Sequence, residues 1–164
     1  MISTILVDDE RRSRELLLNL LSNFDCINVV ATAENVDHAF ELIKLKNPEL
    51  VFLDIEMPNK NGFELLELLI QENLNPIIVF TTAYDRYAIK AFRYAAFDYL
   101  LKPIKIDELK STINRLIENR NPFDLIGRSQ KLNYYLNKKE FLKLNLRTGT
   151  LIIEPNELVL CTAD

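Results

Sequence analysis

Five times in its first 119 residues the chain follows a short apolar run with a stretch of helical periodicity, and no other feature restricts its fold so strongly. Residues 2–7 lead to a segment with Leu16, Leu17, Leu20 and Leu21. Residues 28–33 lead to 35–46, with Val36, Ala39, Phe40 and Ile43 on one face. Residues 50–53 lead to 62–72, with Phe63, Leu65, Leu66, Leu69 and Ile70. Residues 77–80 lead to 85–94, and 97–101 to 107–119, with Leu109, Ile113, Leu116 and Ile117. Strands alternating with amphipathic helices predict an α/β fold, with a parallel sheet covered on both faces. Right-handed crossovers leave few topologies open.

The pattern changes after Asn121-Pro122. Residues 120–139 are polar and mixed and read as a linker. Leu142, Leu144 and Leu146 then alternate with Lys143, Asn145 and Arg147, the period of a half-exposed strand. Thr148-Gly149-Thr150 reads as a turn, 151–153 as a second strand, 154–156 as a second turn and 158–161 as a third strand. Three short strands are too few to bury a core of their own. Residues 140–164 are therefore expected to open a second, mostly β domain.

Composition excludes some classes. The chain has 164 residues and a net charge of −4. The acidic excess lies in residues 1–119, with 13 Lys and Arg against 19 Asp and Glu; residues 120–164 carry 7 against 5. The first part is a poor nucleic-acid binder by itself. No apolar run approaches a membrane span, and no basic leader precedes the first apolar segment. Cys26 and Cys161 fit no metal or redox spacing, so a reducing, cytoplasmic setting is expected.

The chemistry gathers where the strands end. Asp8-Asp9 ends the first strand, Asp54 the third, Thr82 the fourth and Lys102 the fifth. In a parallel sheet these ends share one edge, where open α/β sheets place ligands. Asp54 by itself also suits a turn or a helix cap, and each carboxylate could be solvated in its own loop. Brought together, each close pair costs roughly 4 kcal/mol at the effective dielectric of a protein surface. One lysine leaves three carboxylates two charges short of neutral. A divalent cation closes that gap, and oxygen ligands favour Mg²⁺. A metal, a carboxylate nucleophile, a hydroxyl and a cation are the requirements for accepting a phosphoryl group on Asp54.

These residues resemble a response-regulator receiver domain. The motifs are Asp8-Asp9, Asp54-Ile55-Glu56-Met57-Pro58 with Gly62, Thr82-Ala83, Tyr99 and Lys102-Pro103. The resemblance covers residues 1–119 and implies a flavodoxin-like sheet of order 2-1-3-4-5. It implies that Asp54 is the phosphoacceptor and that Asp9 ligates Mg²⁺ directly. Asp8 would act through water, and the Glu56 carbonyl would complete the protein ligands. Thr82 and Tyr99 would form a switch pair, Lys102 would bond the phosphoryl group, and the Lys102-Pro103 peptide would be cis. Implied partners are a sensor histidine kinase and a second copy of the chain, paired through the fourth helix, fifth strand and fifth helix.

The segment Phe80-Thr81-Thr82-Ala83-Tyr84-Asp85, with Tyr87-Ala88 and Lys90-Ala91-Phe92, resembles receivers joined to LytTR DNA-binding domains. Residues 142–164 resemble the opening strands of such a domain. The implied protein is a phosphorylation-driven transcription regulator, a switch more than an enzyme. Two other readings compete. One is a stand-alone receiver acting by protein contacts. The other is a Mg²⁺-dependent aspartyl phosphatase, which needs an acid/base two residues beyond its nucleophile, the position of Glu56. Of the remaining candidates, His38 reads as a surface residue. Arg11, Arg12 and Arg14 oppose the dipole at a helix start and read as a solvated face.

Overall fold

A computed structural model describes residues 1–94, 96–118, 142–146 and 149–153. The five expected units are all present. They are β1 (Ile2–Val7), α1 (Arg11–Leu21), β2 (Ile27–Ala33), α2 (Val36–Lys46), β3 (Leu50–Asp54), α3 (Gly62–Gln71), β4 (Ile77–Thr82), α4 (Ala88–Arg93), β5 (Asp98–Leu101) and α5 (Ile106–Glu118). The strands form one parallel sheet of order β2-β1-β3-β4-β5. This is the flavodoxin-like order expected of the sequence. Among the described residues no helix is long and apolar enough to cross a membrane.

Burial follows the two periodicities. Ile5, Val7, Val51, Leu53, Ile78 and Phe80 turn to one face of the sheet. There they join Val36, Ala39 and Ile43 of α2 and Phe63, Leu65, Leu66 and Leu69 of α3. The alternate strand residues Leu6, Phe52 and Val79 are equally buried and point to the other face, which the crossovers give to α1 with its buried Leu17 and Leu21. Leu16, Ile70 and Ile117 belong to the apolar pattern of their helices but are 52%, 61% and 46% exposed. Each follows or precedes a buried neighbour by one residue. At about 100° per residue, each of these three has turned past the edge of the stripe that faces the core.

Local chemistry sets the helix ends. Asn35 caps α2 through the His38 amide, Asp37 stands in the first turn and Lys44 and Lys46 in the last, all favourable to the helix dipole. Asn47 closes that helix in the left-handed region, with φ of 43°. At α3 the Asn61 side chain accepts from the Phe63 and Glu64 amides, and Glu64 accepts from the Asn61 amide. The expected helix over 85–94 is in two pieces: a 3-10 turn (Asp85–Tyr87) followed by α4.

The chain divides into two compact units, Met1–Thr112 and Ile113–Asp164. The second contains an antiparallel pair, β6 (Leu142–Leu146) and β7 (Gly149–Ile153). Gly149 and Thr150, expected in a turn, belong to β7, because Gly149 pairs with Leu146 and Thr150 with Asn145. The expected linker over 120–139 and the expected strand over 158–161 lie outside the described residues.

Candidate functional site

Register brings the strand ends level. Val7 pairs with Leu53, Asp54 with Thr81, and Thr82 with Leu101. Asp8 and Asp54 therefore leave neighbouring strands side by side, and Lys102 follows β5 at once. The Lys102 amide donates to the Thr82 carbonyl at 2.7 Å, which locks the β5 end to the β4 end. The peptide from Lys102 to Pro103 is cis.

Carboxylate oxygens of Asp8, Asp9 and Asp54 all lie within 4.8 Å of one another. Asp8 and Asp54 are buried, and Asp9 is exposed. The Lys102 ammonium bridges the buried pair, 2.5 Å from Asp54 Oδ2 and 2.7 Å from Asp8 Oδ2. The remaining oxygen of each accepts a backbone amide: Asp8 Oδ1 from Glu10 at 3.0 Å, Asp54 Oδ1 from Glu56 at 3.2 Å. Burial pushes the Asp54 carboxyl above its usual range, against the pull of Lys102. Burial alone would lower the Lys102 ammonium, but its hydrogen bonds to Asp54 and Asp8 outweigh this and raise it. The cluster of three carboxylates and one ammonium carries two net negative charges. An all-oxygen donor set of that charge fits a hard divalent cation, and Asp8, Asp9 and Asp54 are the side chains that would hold Mg²⁺.

Gly62 shapes the floor of the site. Its amide donates to the Ile55 carbonyl at 2.8 Å. A Cβ there would stand 2.4 Å from the Asp54 carbonyl oxygen and 3.2 Å from Ile55 Cα. Only glycine lets the start of α3 pass so close behind the nucleophile strand.

On the β4 side, Thr82 is fully buried and its Oγ1 accepts from the Tyr84 amide at 3.4 Å. Half-buried Tyr99 donates its hydroxyl to the carbonyl of the same Tyr84. Burial and the nearby charge of Asp85 raise the Tyr99 phenol, so it stays a donor. Thr82 and Tyr99 thus hold the two successive peptides that flank Tyr84, one by its N–H and the other by its carbonyl.

Two groups at the rim escaped the sequence. The family resemblance assigns Glu56 a role only through its backbone carbonyl. Its carboxylate accepts from the Arg86 guanidinium and from the Tyr87 hydroxyl, each at 2.7 Å. Arg86 lies over the rings of Tyr84 and Tyr87, at 4.6 and 4.8 Å from their centroids. The Tyr87 hydrogen bond, ahead of Arg86, holds the Glu56 carboxyl below the usual range. The sequence pattern places Arg14 on a solvated face. It is half-buried, and its Nη1 donates to the backbone carbonyls of Asp8 at 2.6 Å and Asp9 at 3.2 Å. A cation set against the helix dipole was the signal for Arg14. Arg86 lies 30 residues from Glu56 and offered none. His38 is exposed, beside Glu34 at 3.0 Å, as expected.

A parallel sheet of order 2-1-3-4-5 with three carboxylates, a lysine and a buried hydroxyl at its carboxyl edge defines a class. Residues 4–114 match the response regulator receiver domain family, and the chain belongs to it. It is 44% identical over 125 residues to the transcriptional regulatory protein BtsR of Salmonella typhi, an alignment covering 76% of this chain and 52% of that protein. It is also 44% identical over 124 residues to an uncharacterized response regulatory protein of Vibrio cholerae, with the same coverage of each. The chain thus spans about half the length of the curated relatives it matches. Among solved structures, the response regulatory domain of mrkE from Klebsiella pneumoniae aligns with a TM-score of 0.66 and 27% identity, over 72% of this chain and 97% of that one. A LuxR-family DNA-binding response regulator from Staphylococcus aureus aligns at 0.64 and 32% identity, over 70% and 98%.

Proposed function

We propose that this chain is the phosphoryl-accepting part of a cytoplasmic two-component transcription regulator. The observation that carries the reading is Asp54 itself, a buried carboxylate bridged by Lys102 to Asp8 in a chain of the receiver family. A sensor histidine kinase is the proposed donor. An Asp54 oxygen attacks phosphorus in line as the N–P bond of a phosphohistidine breaks and its electron pair returns to the imidazole. Mg²⁺, when bound by Asp8, Asp9, Asp54 and the Glu56 carbonyl, neutralises charge on the transferred oxygens. Lys102 then exchanges a carboxylate partner for a phosphoryl oxygen, without travelling far. The Thr82 hydroxyl, which accepts from the Tyr84 amide, keeps its proton to donate to another phosphoryl oxygen.

That bond draws on the backbone of Tyr84, whose N–H Thr82 holds and whose carbonyl Tyr99 holds. The pull is thereby passed from the pocket to Tyr99 and to the segment leading into α4. Pairing of two chains through α4, β5 and α5 is the proposed consequence. Regulation of transcription would follow through a LytTR-type DNA-binding domain. Support comes from the antiparallel β6–β7 pair after the receiver and from the description of BtsR as a transcriptional regulatory protein. The engaged, ionised Glu56 carboxylate argues for a switch over an aspartyl phosphatase. A general acid must hold a proton near working pH, and Tyr87 and Arg86 favour its loss.

The test is intact mass after incubation with Mg²⁺ and acetyl phosphate. A gain of about 80 Da on the native chain and none on Asp54→Asn is expected of an aspartyl phosphate. No gain on either protein would leave a receiver that works by contacts alone. Sustained turnover of a small phosphate ester would instead favour the phosphatase. Sedimentation of the modified chain tests pairing, and an unchanged monomer would refute it.

A further inference from the structure

Arg14 stands in the first turn of α1, a helix with no acidic residue in that turn and no side-chain cap at its start. A cation there opposes the helix dipole. Its neighbours Arg11 and Arg12 are exposed, and Arg11 has a partner on its own helix in Glu15 at 2.7 Å. Arg14 alone of the three is half-buried, with a single nitrogen directed at the carbonyls of Asp8 and Asp9. Those are the two residues through which the β1–α1 connection supplies carboxylates to the pocket. A guanidinium held by two successive carbonyls turns both peptide planes toward α1.

The two carboxylates depend on this differently. Asp8 is held at both oxygens, by the Glu10 amide and by Lys102. Among the described residues, nothing pairs with the Asp9 carboxylate, which is exposed. The backbone from which it projects is the part of Asp9 that is held, and Arg14 holds it at the carbonyl. We propose that Arg14 is a positioning residue for the acidic pocket, aiming Asp9 by clamping the Asp8 and Asp9 carbonyls. Residues that orient metal ligands from behind commonly matter to affinity almost as much as some of the ligands themselves. The inference rests on the Mg²⁺ reading of the pocket and assigns to α1 a part in it.

The experiment is calorimetric titration of the metal-free chain with MgCl₂, for native protein, Arg14→Met and Arg14→Lys. Thermal melts without and with saturating MgCl₂ accompany it. Arg14→Met keeps length and packing but removes the donors, and about tenfold weaker Mg²⁺ binding is expected. Its Mg²⁺-induced rise in Tm shrinks accordingly, because that rise follows the ratio of free ion to Kd. A purely structural role would lower both melts together and leave the difference between them as in the native chain. Arg14→Lys retains charge and reach without the rigid fork, and recovery to within about threefold of native is expected. Native-like Mg²⁺ affinity in a folded Arg14→Met overturns the proposal. Should that variant not fold, Arg14→Leu, which also lacks the donors, decides: affinity equal to native overturns the proposal, and about tenfold weaker binding supports it. If the native chain itself shows neither heat nor a shift in Tm, the Mg²⁺ reading falls and the proposal with it. A native response matched by Arg14→Met removes the proposal alone.

Discussion

Asp54 is the residue where stability and chemistry pull apart. It ends β3 with 5% of its surface exposed. Its carboxyl is raised by burial, with Lys102 opposing and the Asp8 charge adding to the rise. A raised carboxyl favours the fold below the ordinary carboxylate range. That contribution is lost as pH climbs through the raised value. At neutral pH the ionised Asp54 is therefore a liability in metal-free protein. Asp54→Asn should raise Tm in chelator by about 4 °C, corresponding to about 1 kcal/mol for a domain of this size. A melt of the two proteins in EDTA checks this, and a lower Tm for the variant would count against it. Glu56 shows how much a residue's role depends on neighbours that spacing does not reveal. Two residues beyond Asp54, its carboxylate serves Arg86 and Tyr87 at the rim.

At the scale of elements, the junction of β3 and α3 does most to shape the pocket. The α3 capping box of Asn61 and Glu64 starts that helix at Gly62, directly behind the Asp54 carbonyl. Gly62→Ala forces a methyl group to within 2.4 Å of that carbonyl oxygen. Neither partner is a flexible side-chain end, so β3 or α3 must shift. A loss of about 3 kcal/mol in unfolding free energy by urea titration is expected, with Mg²⁺ binding weakened in the fraction that folds. A variant as stable as the native chain would show the junction to be looser than the geometry requires. Further along α3, Phe63 packs on Phe80, Tyr87 and Tyr94, with ring centroids 5.0, 6.2 and 5.3 Å away. The segment that leaves β4 toward α4 is thereby seated on the helix that leaves β3. This contact ties the two sides of the pocket together.

At the scale of the whole molecule, the two units differ in how far each can hold itself together. The parallel sheet has five strands and a core on one face running from β1 to α4. Among the described residues of the second unit, β6 and β7 form a two-stranded antiparallel sheet, an arrangement marginal by itself in water. Scanning calorimetry of the whole chain should accordingly show one cooperative transition, shifted upward by Mg²⁺. A second, Mg²⁺-independent transition would show that residues 113–164 fold cooperatively without the remainder of the longer relatives.

Much of this was legible in the chain itself. Alternating apolar periods dictated five βα units, because a parallel sheet is what such units can bury together. The strand-terminal positions of Asp8, Asp9, Asp54, Thr82 and Lys102 dictated which groups would meet, since parallel strands share a carboxyl edge. What periodicity leaves open is register, and register decided the site. Only the pairing of Val7 with Leu53 and of Thr82 with Leu101 sets the strand ends level enough for one ammonium to touch two carboxylates. Long side chains were the other unknown. Arg14 and Arg86 have several rotatable bonds each, and a sequence carries no information on where such a chain ends. Their partners, two backbone carbonyls and a carboxylate 30 residues away, come within reach only once folding has placed α1 and the 3-10 turn ahead of α4.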